Sequence, residues 1–241
     1  MRRILSSDCY RAIHNPMVYA VPAGFFMFLV MAIFVGNRNG GQIGINTIID
    51  NTNDMLMLVF IAADIVLINM WSGEHKHGFI KNLAGNVSGR QILPISKMVI
   101  GIVICAIYMI MSFGYMVGGN TITGVKIVGA PFGNELIQLL LWYLTGIASV
   151  ALDLMLYEVF NSPTLCYIAS IMLWTGMFEQ IILQLFYLIT DSEFNLARYM
   201  LLTGMNMEES GNAEDLVRIL LYIAVFCTTA IFAARKKDIR A

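Results

Sequence analysis

Six long apolar runs separated by polar connectors predict an all-α membrane protein built on six transmembrane helices, and three observations carry that expectation. Hydrophobic residues make up 58% of the 241-residue chain and charged residues only 13%, against about 25% charged in soluble domains. The runs reach or approach the roughly 18 to 20 residues that a helix needs to cross a bilayer. Finally, the basic residues fall mostly in alternate connectors, as the positive-inside rule requires of a multi-span protein. So much apolar sequence leaves little mass for a soluble domain, and residues 1–241 read as a single transmembrane domain. In a chain of this class the net charge of -1 says nothing about nucleic acid, which is not an expected partner; what matters is where the charges sit along the sequence.

Residues 2–14, RRILSSDCYRAIH, put Ile4, Leu5, Cys9, Ala12 and Ile13 on one helical side and Arg3, Ser7 and Arg11 elsewhere. This is the pattern of a short amphipathic helix lying in the headgroup region. Pro16 ends it, and the predicted spans follow at about 17–35, 55–72, 97–117, 136–157, 165–189 and 216–234. Arg2, Arg3 and Arg11 ahead of the first run invite comparison with a signal sequence, but the run is too long for an h-region and no small-residue cleavage site follows it. Between the first two spans, 36–54 is rich in Gly and Asn and reads as a loop, as does 118–134 between the third and fourth. The link 158–164 suits a tight hairpin between antiparallel helices. The connector 191–215 is acidic overall, and its apolar part, 194–205, is suited to dip into the interface. Arg218 stands close enough to the start of the last span to snorkel.

The N-terminal arm, the connector at 73–97 and the tail RKKDIRA hold 11 of the 15 Lys and Arg residues. The positive-inside rule therefore puts both termini and that connector in the cytoplasm. An odd number of spans would split these clusters between the two sides. Within the connector, Phe79, Ile80, Leu83 and Val87 line one stripe of a short helix whose other face carries Lys, Asn and Ser. Such a helix lies against lipid headgroups, the protein's own spans or a partner.

The sequence holds no P-loop, no H-E-x-x-H and no metal-spaced Cys or His pair. His75 and His77 sit in a solvated basic connector and read as surface residues, and Cys9, Cys105, Cys166 and Cys227 read as small buried hydrophobes. The Asn86-Val87-Ser88 sequon falls on the predicted cytoplasmic side. The residues that stand out are acids inside spans. Asp64 lies near the middle of the second, and Glu179 near the middle of the fifth, beside a stripe of Gly176, Gln180, Gln184 and Tyr187. No Lys, Arg or His is expected at matching depth, so each carboxyl is protonated, hydrogen-bonded between helices or open to water. Asp153, about one turn from its span's end, is expected near the interface, where solvation is easy.

Together these features resemble the permease subunits of type-2 ABC exporters. The resemblance covers nearly the whole chain as architecture. Its sequence motif is concentrated between Glu74 and Lys97: E-x-x-x-G-x-x-K-N (Glu74, Gly78, Lys81, Asn82), then R-x-x-x-x-x-S-K (Arg90, Ser96, Lys97), with a closing Lys236-Lys237-Asp238. Permeases of this size resemble those of bacterial bacteriocin-immunity and toxic-peptide exporters. The resemblance implies a bacterial cell-membrane protein with no nucleotide site or cofactor of its own. Two copies of a separate cytoplasmic ATPase would bind ATP and Mg, and a second permease, identical or homologous, would complete the complex. It further implies that the connector helix is a coupling helix seated on the ATPase through Glu74, Gly78, Phe79, Ile80, Lys81, Asn82, Leu83 and Arg90. Asp64, Glu179, Gln180 and Gln184 would line the substrate pathway, and 191–215 would form a re-entrant segment closing it from outside. An amphipathic or cationic peptide would suit the acidic groups. Two other readings compete: a proton-coupled secondary transporter that uses Asp64 and Glu179, and a non-transporting membrane scaffold or sensor.

Overall fold

The computed structural model describes residues 2–24, 27, 42–76, 92–122, 126–128, 134–189, 196–201 and 213–236. Seven helices with defined bounds organise them: α1 Arg2–His14, α2 Ile45–Lys76, α3 Ile92–Ile122, α4 Asn134–Phe160, α5 Pro163–Trp174, α6 Met177–Ile189 and α7 Ala213–Lys236. Residues 16–24 are also helical. Two three-residue strands, β1 Gln42–Gly44 and β2 Lys126–Val128, pair in parallel, and Leu196–Tyr199 forms a 3-10 turn.

Four helical segments, Met55–Gly73, Ile92–Ile122, Ile137–Phe160 and Glu214–Lys236, are long and apolar enough to cross a membrane, and α5 with α6 makes a fifth if the bent pair is one span. The first predicted span is helical over 16–24, and most of its remainder lies outside the described residues.

Helix boundaries follow from local chemistry. α1 closes with the His14 ring on the Tyr10 carbonyl at 2.8 Å. Asn15 then caps the next helix, its side-chain oxygen accepting the Met17 N–H at 3.1 Å, with Pro16 at the first helical position, where its missing N–H is no loss. α4 ends in Asn161, whose φ of 53° is a left-handed stop. Ser162 and Pro163 restart the chain as α5, the Ser162 hydroxyl accepting the Leu165 N–H. Only Asn161 and Ser162 therefore separate two helices where the sequence suggests a seven-residue link.

Three boundaries move from their expected places. α2 begins ten residues before Met55, inside the predicted Gly and Asn loop, and α3 runs past Val117 to Ile122. The fifth span is not one rod. It breaks at Thr175 and Gly176 into α5 and α6, bent by 73°. Thr175 turns its backbone N–H and its hydroxyl onto the Ile171 carbonyl at 3.0 and 2.8 Å, and Gly176 takes φ 69°, a conformation that glycine adopts without a Cβ penalty.

α4 is the hub, packing against α2, α3, α5 and α7. Its Gly146, Ala148, Ser149 and Ala151 are small, which lets neighbouring backbones approach closely. Phe60 of α2 lies over Gly146, and Val150 lies over Gly101 of α3. Three tyrosines tie helices by donating to backbone carbonyls: Tyr108 to Val18 at 3.1 Å, Tyr143 to Ile102 at 3.2 Å and Tyr157 to Trp71 at 3.1 Å. On the outside, α7 exposes Val217, Leu220, Leu221, Val225 and Phe232, as a helix facing lipid does.

A Cβ at Gly101 would stand 2.5 Å from Val150 Cγ1, whereas at Gly114 nothing lies within 4 Å. Gly101→Leu is therefore expected to lower stability by about 1–3 kcal/mol through overpacking, and Gly114→Leu to leave it unchanged. Thermal unfolding of the two variants in the same detergent checks the contrast.

Candidate functional site

The strongest polar feature inside the bundle is a cage around Asp64, which is 1% exposed. Its Oδ2 accepts three hydrogen bonds: from Ser149 Oγ of α4 at 2.6 Å, and from Ser170 Oγ and Trp174 Nε1 of α5, both at 2.8 Å. The indole N–H also reaches Ser149 Oγ at 3.0 Å. Ser170 and Trp174 are four residues apart and so share one helix face. The indole is held by stacking on Phe60, with ring centroids 5.3 Å apart, and on Trp142 at 6.4 Å. Of the arrangements open to a carboxyl inside a span, Asp64 takes the one bonded between helices. Sequence reasoning found Asp64 and missed its three donors, since serines and a tryptophan inside apolar runs read as ordinary core residues.

Asp153 departs from expectation. The sequence puts it near a solvated interface, but it is 1% exposed, and neither carboxylate oxygen has a hydrogen-bond partner among the described residues. The reason lies in packing: α5 folds back immediately beyond Phe160 and covers this turn of α4, bringing the Cys166 thiol to the Asp153 carbonyl at 3.5 Å.

Glu179 is buried at the start of α6, just past the bend, while Gln180 and Gln184 are exposed. None of the hydrogen bonds to Asp64 comes from these three. Glu179 instead lies within Coulombic reach of Tyr222 on α7, as does Arg218. Arg218 pairs with Asp215 one turn away at 2.9 Å, with both side chains about nine-tenths buried. Beside them a cleft of about 690 Å³ opens along α7, lined by Tyr199, Arg218, Leu221, Tyr222, Val225 and Phe226.

A second polar cluster closes the end of the bundle where α2 stops and α3 starts. Lys97 is 2% exposed. It pairs with Glu158 of α4 at 3.6 Å and lies 5.3 Å from the centre of the Tyr157 ring. Its neighbour Ser96 donates to Asp8 Oδ2 of α1 at 2.5 Å. Asp8, Tyr157 and Glu158 were not anticipated. The signal was a lone acid in an otherwise basic amphipathic helix and an acid at the foot of a span opposite Lys97.

Glu74 lies in the last turn of α2. Gly78, Phe79, Ile80, Lys81, Asn82, Leu83 and Arg90 lie outside the described residues, as does most of 191–215. Among the described residues no group of three or more His, Cys, Asp or Glu could hold a metal.

Losing one cage donor, in Trp174→Phe or Ser170→Ala, is expected to cost about 1–3 kcal/mol, because a buried acceptor loses a partner. Chemical denaturation in mixed micelles measures it, and an unchanged midpoint in both variants would contradict the cage. At the base, burial pushes the Asp8 carboxyl above its ordinary value of 3.8, with the Ser96 bond, Arg11 and Lys97 opposing that rise. A raised native value means that docking of α1 gains from this group below the ordinary value and loses that gain as pH climbs through the raised one. The separation between spin labels at Ser6 and Val103 should therefore tighten as pH falls toward 3.8, and Asp8→Asn should flatten the response. Comparison with family models and with curated proteins finds no match for this chain.

Proposed function

We propose that this chain is the six-span permease subunit of an ATP-driven type-2 ABC exporter in a bacterial cell membrane, with both termini cytoplasmic. In this reading it moves amphipathic or cationic peptides outward. A second permease pairs with it, and two copies of a separate ATPase, which hold the ATP and Mg, drive it. The observation that supports the reading best is the continuity of α2. One unbroken helix, Ile45–Lys76, carries both Asp64 and Glu74, ten residues or about 15 Å apart along the axis. A push delivered beyond Glu74, on Phe79, Ile80 and Leu83, would travel along a rigid rod to the carboxyl that α4 and α5 grip.

The motif residues at the other end of the same connector also have a mechanical place. Ser96 and Lys97 are anchored to α1 and α4, so the start of α3 is held while the end of α2 takes the load. Acidic groups at Asp64 and Glu179 would attract a cationic peptide strongly where the local dielectric is low.

Affinity purification of the tagged chain from membranes, together with its neighbouring genes, is expected to bring down an ATPase chain, and Gly78→Leu or Glu74→Arg to reduce that recovery at least severalfold. Recovery of intact chain without any ATPase would count against the exporter. Uptake in ATP-free liposomes driven by a pH gradient would favour a secondary transporter.

A further inference from the structure

Three carboxylate oxygens in the core of the bundle have no hydrogen-bond partner among the described residues: Oδ1 of Asp64 and both oxygens of Asp153. Each residue is 1% exposed, so water does not compensate them by simple solvation. The two acids belong to one electrostatic neighbourhood, since Asp64 acts directly on Asp153. They are also joined through structure. Ser149, which donates to Asp64 Oδ2, stands one turn before Asp153 on the same face of α4.

Among the described residues, the groups facing this neighbourhood are acidic or neutral. α2 contributes Asp64. α3 contributes Cys105, on which Asp64 acts, with Tyr108 and, from α4, Tyr143 one step further out. α5 contributes Cys166, Ser170 and the Trp174 N–H. α7 contributes Cys227, which lines one cavity with Leu154, next to Asp153 in the chain. Among the described residues, the charges acting on Asp64 and Asp153 include no cation.

Two like charges this deep would repel each other and stand uncompensated, the costliest arrangement for buried ions. A proton removes both problems. The hydrogen bonding also says which acid holds it. Three donors converge on Asp64, where charge-assisted bonds favour the ionised form, while no donor among the described residues reaches the Asp153 carboxyl. We propose that Asp64 and Asp153 form one proton-binding site inside the bundle, with the proton on Asp153 and the negative charge on Asp64. The pair titrates as a unit. The site rests on the cage and the orphaned oxygens, and it stands whichever energy source the protein uses.

Infrared difference spectroscopy of the purified full-length protein in lipid nanodiscs, titrated around neutral pH, tests this directly. A deuterium-sensitive band of a protonated carboxyl is expected at neutral pH. It should vanish in Asp153→Asn, persist in Asp8→Asn, and be lost at a different pH in Asp64→Asn, because the neighbouring charge is gone. If Asp153→Asn does not fold, Asp153→Glu should shift the band's frequency instead. The proposal is overturned if the folded wild type shows no such band, if the band is unchanged in both Asp153 variants, or if its titration ignores Asp64→Asn. Loss of the band on adding sodium at constant pH would also overturn it, by making the site one for a metal cation.

Discussion

One oxygen atom, Oδ2 of Asp64, sets the register of three helices. Taking a carboxyl out of water costs several kcal/mol even after relaxation, and hydrogen bonds to a charged group return about 1.5–3 kcal/mol each. Three of them together can offset the burial; two leave it in doubt. The three donors come from α4 and α5, so α2 is stable only where Ser149, Ser170 and Trp174 converge. A slip of either helix by one residue would turn its donors away from the acid, because side chains on a helix rotate by about a quarter turn or more per residue. Apolar packing against lipid-like surroundings discriminates poorly between such registers, and a polar cage supplies the missing selectivity.

The same constraint organises the aromatic residues. Trp174 must point its N–H inward, and Phe60 and Trp142 hold its ring in that attitude. Phe60 in turn needs the open face of Gly146. Cage, stacked rings and small residues are thus one packed unit. The cluster of Asp8, Ser96, Lys97 and Glu158 does the corresponding work at the end of the bundle, tying α1, α3 and α4. α6 contrasts with this. Among the described elements it packs chiefly on α5 and the 3-10 turn, so its direction depends mainly on the bend at Thr175 and Gly176.

Much of the helical content was legible in the sequence, because length and apolar character are local properties. The amphipathic α1, the apolar core of α2, and α3, α4 and α7 all stand where their runs predict, with ends displaced by several residues. The broken fifth segment was not read, although Thr175-Gly176 in the middle of a long run was available as a signal. Its composition is apolar throughout, and hydropathy does not register the dihedral of one glycine. Asp64 was singled out correctly as a buried acid needing partners. Asp153 was misjudged because its distance from the span's end was measured along the chain, whereas its burial comes from a helix that returns over it.

By itself the sequence determined that this chain is built from helices suited to a membrane, where the polar interruptions fall, and that Asp64 stands deep inside an apolar run. Those conclusions need only the period of the helix and the cost of moving charge out of water. Only the tertiary structure decided that Ser149, Ser170 and Trp174 meet at Asp64, that Asp153 is covered, and that Ser96 and Lys97 reach Asp8 and Glu158. These contacts join residues 61 and 88 positions apart at the end of the bundle and 85 to 110 apart around the cage. Nothing local marks such partners, since a serine in an apolar run looks the same whether it faces lipid or a carboxylate.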